Sequence, residues 1–271
     1  MEPERFGGRN GALGAVLFCW RTVAKLLAYA VFGAATIAFS LTLLPLLLLL
    51  VHPRARFRRV CRRALHFCLV LYRGYLRLVG VARVTVSDKA ALSGARSVIV
   101  AANHPSLLDS VLLVSFLPCA DFIVKVSLSR RNVLSFIVNL LLTPNSTDYA
   151  KIVERTKEDF AAGGTIAVFP EGTRSLATGQ NRFKKGAARL ALATGRPILP
   201  VYIGGNDKRG LRKGDKPWQI NRAETGRHIY QYVFSVKEPI YPDEFAGLPE
   251  PIAAKRCTAK LRHVLSDEEN A

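Results

Sequence analysis

The sequence has 271 residues, of which 49% are hydrophobic, so it is long enough for one large domain or for one domain with an appendage. Lysine and arginine number 39 against 20 acidic residues, which gives a formal net charge of +19. Nucleic-acid binding would need a recognition helix or platforms of aromatic and basic residues, and we find neither pattern, so we expect no nucleic-acid partner. The five cysteines have neither CxxC nor metal-ligand spacing, which predicts free thiols and no metal site.

The N-terminal part of the chain contains a long uncharged run, "LLAYAVFGAATIAFSLTLLPLLLLLV", over residues 26–51. About 20 apolar residues suffice for a helix to cross the hydrocarbon core of a bilayer. A signal peptide is the alternative, but the run is too long for one and no small-residue cleavage site follows it. We therefore predict membrane insertion, either as a span or as a re-entrant hairpin bent near Pro45.

A basic cluster, "HPRARFRRVCRR", follows the apolar run directly. Clusters of this size beside a membrane segment bind anionic headgroups, and by the positive-inside tendency the chain after it lies in the cytoplasm. Residues 60–80 have helical periodicity, which predicts an amphipathic interfacial helix, with an ordinary surface helix as the alternative. Residues 1–80 would then form a membrane-anchoring region on the inner face. The basic residues predicted to share one arc of this helix are Arg59, Arg62, Arg63, His66, Arg73 and Arg77.

From about Ala82 onwards, short β-branched runs alternate with helical stretches. This alternation predicts an α/β domain over residues 81–271, with a mostly parallel sheet flanked by helices. The predicted strands are 97–102, 121–126, 165–169, 197–204 and 228–236. The predicted helices are 106–116, 131–142, 149–164, 184–195 and 251–267.

The stretch "NHPSLLDS" brings a histidine and an acid near the start of a predicted helix. Five residues make about one and a half helical turns, so His104 and Asp109 would not share a helix face. They can meet only if His104 precedes the helix, and Pro105 favours that by restricting His104 to extended conformations. A carboxylate that orients an imidazole produces a general base. The alternative is a buried structural histidine with a solvated aspartate.

A second motif, "FPEGTRS", follows another predicted strand. Gly172 permits a tight turn, and the planar guanidinium of Arg174 suits a phosphate. Glu171 could bond a substrate hydroxyl or hold Arg174. Shortly afterwards Lys184 and Lys185 add positive charge at a helix start, where an anion is also favoured. The alternative is a strand-ending turn with a surface ion pair.

Together these stretches resemble the glycerolipid acyltransferases typified by 1-acylglycerol-3-phosphate acyltransferase. "NHPSLLDS" is similar to the HxxxxD motif of that family, "FPEGTRS" to its acceptor-binding motif, and "RFKKGAARLA" and "RPILPVYIGG" to the segments that follow. The resemblance covers roughly residues 81–242. It implies that His104 is the base and Asp109 its partner. The substrate-binding residues that it implies are Lys125, Glu171, Gly172, Thr173, Arg174, Lys184 and Lys185.

The resemblance implies acyl transfer from acyl-CoA or acyl carrier protein to the hydroxyl of a lyso-lipid, with no metal or other cofactor and with membrane phospholipids around the enzyme. The sequence departs from the family after Lys125, where a glycine and an arginine that helps to hold the acceptor phosphate are expected. Asn145 and Asp148 lie about where that arginine would, and Arg130 or Arg131 could replace it. The acceptor could therefore be lysophosphatidic acid or a specialised lyso-lipid such as a lyso-aminolipid. A non-catalytic protein that binds anionic lipid is the rival interpretation.

Overall fold

The computed structural model of the protein describes residues 11–125, 142–145, 148–175, 182–220 and 228–266. The predicted helix over residues 131–142 therefore lies almost wholly outside the described residues. The helices are α1 (Gly11–Ala38), which continues through a π-helical turn (Phe39–Leu43) into α2 (Leu44–Leu50), then α3 (Arg54–Leu78), α4 (Lys89–Gly94), α5 (Asp109–Val114), α6 (Tyr149–Ala161), α7 (Gly186–Thr194) and α8 (Glu250–Ser266), with a 3-10 turn over Pro242–Phe245.

The described strands form one seven-stranded sheet, in the order β1-β7-β6-β2-β5-β3-β4. All its pairings are parallel except that between β6 and β7. This confirms the predicted α/β class with a mostly parallel sheet. The strands are β1 (Ala82–Val86), β2 (Ile99–Ala102), β3 (Ala120–Lys125), β4 (Thr143–Asn145), β5 (Thr165–Val168), β6 (Ile198–Gly205) and β7 (Tyr230–Val236).

Helices cover both faces of the sheet, which explains why its central strands are apolar throughout rather than alternating. Every residue of β2 and of β5 is buried. On one face, side chains of α1, α3 and α5 join the sheet in a hydrophobic cluster, and α6, α7 and α8 form the cluster on the other face. Because α1 and α3 share a core with the sheet, side chains on both sides of the predicted boundary at residue 80 pack together. The boundary itself stays a prediction.

The N-terminal helices form a hairpin that lies along the domain. Residues 16–50 form one continuous helix, whose most apolar 18-residue stretch has a mean hydropathy of 2.2 and is only 17% buried. The helix is not bent back near Pro45. Instead the chain reverses just after Val51, so that α3 packs back against α1 and α2. The hydroxyl of Tyr72 in α3 donates to the carbonyl of Ala28 in α1 at 2.9 Å, and Phe57 and Leu44 share a small apolar cluster. The exposed apolar surface of this helix is compatible with membrane insertion.

Two arginines in the basic stripe of α3 face the domain and not a headgroup layer. Arg62 is 3% exposed, and its guanidinium lies 2.8 Å from a carboxylate oxygen of Asp121 and 2.8 Å from one of Asp159. Arg73 donates to the carbonyl of Ser115 at 2.9 Å. The interfacial prediction is therefore wrong for these two arginines, because acidic and carbonyl groups of the domain face them. On the same helix Arg63 and Arg77 of the stripe are exposed, as are the apolar side chains of Phe67, Leu71 and Leu78.

Candidate active site

The two sequence motifs lie side by side because they follow neighbouring parallel strands. β2 pairs with β5 so that Ala101 is opposite Val168, and each motif begins just beyond this pair. The carboxyl ends of parallel strands are where open α/β sheets bind ligands. Asn103 fixes the exit from β2, since its side-chain amide donates to the carbonyl of Ile203 in β6 at 3.0 Å and accepts from the amide of the same residue at 2.6 Å.

His104 meets Asp109 in the way that the proline-restricted geometry requires. The helix begins at Asp109, three residues later than predicted, so His104 stands on a non-helical turn in front of it. Nδ1 of His104 lies 2.9 Å from Oδ2 of Asp109. The imidazole also stacks on the ring of Phe169, with centroids 4.2 Å apart and an interplanar angle of 19°. The remaining ring nitrogen, Nε2, is therefore the one that can exchange a proton with a substrate.

Asp109 is fully buried and is held by more than the histidine. The amide of Ser106 donates to Oδ2 at 2.6 Å and its hydroxyl donates to Oδ1. The hydroxyl of Tyr232, on β7, lies 2.7 Å from the same Ser106 oxygen. Burial, and next the charge of Asp109, raise the pKa of Tyr232 well above its usual value, so this phenol stays protonated. Sequence analysis missed Ser106 and Tyr232 as parts of the site.

The second motif is hydrogen bonded to the first through the backbone of His104. Oε1 of Glu171 accepts from the amide of His104 at 2.9 Å and from the hydroxyl of Ser175 at 2.7 Å. The amide of Ser175 donates back to the carbonyl of His104 at 2.6 Å. The structure thus gives Glu171 a role that the sequence did not suggest, which is to hold the turn that carries His104.

Arg174 lies at the site, but its guanidinium also binds the protein. Nη1 donates to the carbonyls of Leu211 and Arg212, both at 2.9 Å, in the segment between β6 and β7. The carbonyl of Leu211 also accepts from the amide of Leu107, within the first motif, at 3.0 Å. One segment therefore fixes parts of both motifs.

The remaining residues predicted for substrate binding are placed unequally. Gly172 has φ +65°, and a Cβ there would lie 2.8 Å from Nζ of Lys184, so the lysine crosses directly over this glycine. Lys184 and Thr173 both line the central cavity, whereas Lys185 is exposed and does not. The side chain of Lys125 lies outside the described residues, as do Arg130, Arg131 and the side chain of Asn145. Asp148 caps α6 by accepting from the amide of Lys151.

A cavity of about 380 Å³ opens at His104. His104, Arg174 and Lys184 line it together with residues of β3, β5, α6 and α7. The residues from these four elements are mostly apolar, which sequence analysis did not foresee because the elements are separate in the chain. The apolar lining residues include Phe122, Ile123, Val124, Ile152, Val168 and Leu190.

Comparison with known proteins agrees with this site. Residues 83–204, which contain both motifs, match the model of the family described as Acyltransferase. A protein of Mycoplasma pneumoniae called a probable 1-acyl-sn-glycerol-3-phosphate acyltransferase is 30% identical over 204 residues, which are 71% of this chain and 71% of that protein. The chain belongs to the 1-acyl-sn-glycerol-3-phosphate acyltransferase family. The resemblance seen in the motifs is thereby confirmed.

Further relatives of the family support the same assignment. A probable 1-acyl-sn-glycerol-3-phosphate acyltransferase of Mycoplasma genitalium is 33% identical over 165 residues, which are 57% of this chain and 58% of that protein. The crystal structure of the 1-acyl-sn-glycerophosphate acyltransferase PlsC from Thermotoga maritima superposes with a TM-score of 0.64 at 23% identity, covering 96% of this chain and 99% of that one. At this identity the superposition establishes a shared fold, including the N-terminal helices.

Proposed function

We propose that this protein transfers an acyl group from a thioester, acyl-CoA or acyl carrier protein, to the free hydroxyl of 1-acyl-sn-glycerol-3-phosphate in phospholipid biosynthesis. The observation that carries the proposal is the 2.9 Å contact between His104 and the buried Asp109, with His104 lining a cavity that is mostly apolar. An acyl chain needs an apolar wall, and a phosphate needs the cations that Arg174 and Lys184 supply.

The proposed reaction uses His104 as a general base. Nε2 takes the proton of the acceptor hydroxyl while its oxygen attacks the thioester carbonyl, and Asp109 stabilises the resulting imidazolium. When the tetrahedral intermediate collapses, the carbon–sulfur bond breaks and the thiolate takes the proton back from His104. A thioester is already activated, so the reaction calls for neither a metal nor another cofactor.

We place the enzyme at the inner face of the membrane, with the α/β domain in the cytoplasm. The exposed apolar surface of residues 16–50 supports membrane attachment. The basic cluster that follows this helix supports the orientation, by the positive-inside tendency. Membrane phospholipids and the lyso-lipid acceptor would then reach the site from the bilayer.

The test is the turnover of purified protein with lysophosphatidic acid and acyl-CoA or acyl carrier protein, followed by mass spectrometry of the lipid product. His104→Ala should lower kcat about 100- to 10,000-fold, the usual contribution of a general base. Asp109→Asn should lower it by a smaller factor, because the histidine remains but is held less well. His263→Ala, in exposed surface of α8, is the matched control. Turnover of His104→Ala within tenfold of the parent would reject the mechanism, whereas a parent protein without any turnover would favour the lipid-binding role.

A specialised acceptor without a terminal phosphate is a second candidate. One observation favours it: part of the donor capacity of Arg174 is engaged by the carbonyls of Leu211 and Arg212. Kinetics measured side by side with lysophosphatidic acid and with lyso-aminolipids separate the two acceptors. A strong preference for lysophosphatidic acid that is lost in Arg174→Ala would exclude the specialised acceptor.

A further inference from the structure

The apolar N-terminal helix carries two charged residues, Arg21 and Lys25, and the side chain of Lys25 points into the domain. Lys25 is the one charged residue between positions 22 and 51, yet it is only 2% exposed. A buried ammonium is costly unless its donors are satisfied. Where the helix surface around it is exposed, at Val23, Leu26 and Leu27, it is apolar. Lys25 is therefore unsuited to a purely anchoring helix and calls for a separate explanation.

The partners of Lys25 are backbone carbonyls at the two ends of one loop. Nζ donates to the carbonyl of Gly210 at 3.1 Å and to that of Gln219 at 2.7 Å, so it closes the neck of the segment between them. The ammonium also lies 5.4 Å from the ring centroid of Tyr230. The hydroxyl of Tyr29, one helical turn further along α1, approaches the carbonyl of Gly210 at 3.4 Å.

The loop is built to accept this lysine. Gly210 has φ +84°, and a Cβ at this position would lie 1.8 Å from the carbonyl oxygen of Gln219 and 2.2 Å from Nζ of Lys25. Only glycine fits both the backbone conformation and the close approach. Asp215 further shapes the loop, because its carboxylate accepts from the amide of Gly210 at 2.6 Å.

The same loop holds both motifs of the active site. The residue after Gly210 is Leu211, whose carbonyl accepts from Nη1 of Arg174 and from the amide of Leu107, between His104 and Asp109. The next carbonyl, that of Arg212, accepts from Arg174 as well. A continuous path of hydrogen bonds thus runs from the apolar helix through one loop to the acceptor motif.

From these contacts we propose that Lys25 is a positioning residue, which fixes the loop of residues 206–219 against the apolar helix and thereby holds Arg174 in place for the acceptor. When the helix is seated on the domain, the carbonyls of Leu211 and Arg212 are fixed and the guanidinium has one orientation. When the lysine is lost, the loop and the guanidinium gain freedom, and acceptor binding weakens. The membrane-anchoring helix is in this sense part of the acceptor site.

The kinetic test compares Lys25→Met, Lys25→Arg and the exposed control Val23→Met in full-length protein in detergent micelles. Lys25→Met should raise KM for lysophosphatidic acid on the order of tenfold, a typical coupling between groups in one network, with kcat and the donor KM changed by less than about threefold. Lys25→Arg, which keeps the donors, should recover most of the loss, and Val23→Met should equal the parent. A decrease in kcat without a change in acceptor KM, or no recovery by arginine, would overturn the positioning role.

A double-variant cycle with Arg174→Ala tests whether Lys25 acts through that arginine. Adding Lys25→Met to Arg174→Ala should raise the acceptor KM no further, since the group that it positions is already absent. If the two effects multiply instead, Lys25 acts by another route and the proposal is wrong.

Because these kinetic effects rest on the proposed function, amide hydrogen exchange supplies a readout that does not. Lys25→Met should accelerate exchange at Leu107, Gly210 and Gln219, whose amides are hydrogen bonded in or against this loop, while the strands of the sheet keep the parent rates. Parent rates at all three amides would reject the proposal even for an active enzyme. If the parent has no activity with lysophosphatidic acid, the proposed function fails, and exchange still decides whether Lys25 fixes the loop.

Discussion

At the scale of single residues, His104 stands at the end of a chain of buried hydrogen-bonding groups, namely two hydroxyls and a carboxylate. Tyr232, Ser106 and Asp109 are linked in succession to His104, and the first three are fully buried. Loss of a member of such a buried polar chain is costly, because its neighbours lose partners that water cannot replace.

Ser106→Ala tests this chain. The change leaves the Asp109 carboxylate with one donor fewer and the Tyr232 hydroxyl without its partner, so the cost should be about 1–3 kcal/mol in unfolding free energy, and kcat should decrease as His104 is held less firmly. Tyr232→Phe keeps the bond from Ser106 to Asp109 and should lower kcat less. Measurements of kcat and of the unfolding midpoint decide the matter, and a Ser106→Ala variant with parental kcat would show that the chain is only structural.

The residues of the site differ in how far they could be predicted from the sequence. His104 and Asp109 are five positions apart, so their meeting could be argued from local geometry and the proline between them. Tyr232 is 126 positions from Ser106, and only the pairing of β7 with β6 and β1 brings it beneath the turn. The hold of Glu171 on the His104 amide was likewise not foreseen, since acidic side chains in a motif are assigned to substrates more readily than to backbone.

At the scale of elements, α3 is tied to the domain by a buried ion-pair cluster. Arg62 bridges Asp121 on β3 and Asp159 on α6, and Thr143 on β4 donates to the same Asp121 carboxylate. Burial raises the pKa of Asp121, while the charge of Arg62 opposes that rise. The cluster joins four elements, so it sets the position of the helical hairpin relative to the sheet.

Arg62→Met should destabilise the fold strongly, by about 3–5 kcal/mol, because it removes the closest cation from two interior carboxylates and leaves Asp121 with the more distant Arg155, at 3.7 Å. Arg63→Met, at the next and exposed position, should change stability by no more than about 0.5 kcal/mol. The pH gives a further check. With Arg62 absent the folded pKa of Asp121 lies still further above its unfolded value, so the variant should regain stability as the pH falls through that folded pKa. Thermal unfolding at about pH 5.5 and pH 8 measures both effects, and equal losses at the two values would contradict the assignment to Asp121.

The two arginines of α3 that face the domain, Arg62 and Arg73, show where helical periodicity stops being informative. The pattern correctly placed several basic residues on one face, but a pattern does not say whether that face meets water, lipid or protein. The partners of Arg62 lie 59 and 97 positions further along the chain, in elements that sequence analysis did predict but could not orient. The five predicted strands, by contrast, depend on local periodicity alone, and each is present, although β1 and β4 were not predicted.

At the scale of the whole molecule, attachment to the bilayer should rest on apolar surface more than on charge. The exposed residues of α2 and of the turn before it include Leu41, Leu49 and Leu50, each at least 70% exposed. Leu41→Arg and Leu49→Arg should each weaken partition into vesicles, by up to about 2.5–3.5 kcal/mol for a charge at the bilayer centre, and leave the unfolding midpoint in detergent unchanged. Sedimentation with vesicles at low and high salt measures this. Release of the parent protein by salt alone would show that charge dominates.

Removal of residues 1–52, which would be the obvious way to make a soluble enzyme, should destabilise the domain. From the basic cluster alone, one would expect the truncated protein to keep weak, salt-sensitive membrane binding through residues 54–77. The structure changes that expectation, because Ala24, Ala28 and Lys25 fill the core and the loop neck beside Tyr72. The truncated chain should aggregate or unfold at lower temperature than the parent, as measured by light scattering during heating. A monodisperse, fully active fragment would show that the hairpin is a separable anchor.

The hydrogen bonds from Glu171 and Ser175 to the backbone of His104 also matter for attempts to redesign this enzyme. An engineer who exchanges residues 169–175 for those of a relative, in order to change the acceptor, would at the same time replace the groups that hold the catalytic turn. Specificity and rate would then change together. A graft should succeed only if the incoming segment keeps a carboxylate at position 171 and a backbone N–H, that is, a residue other than proline, at position 175. The alternative is to transfer residues 103–109 together with it.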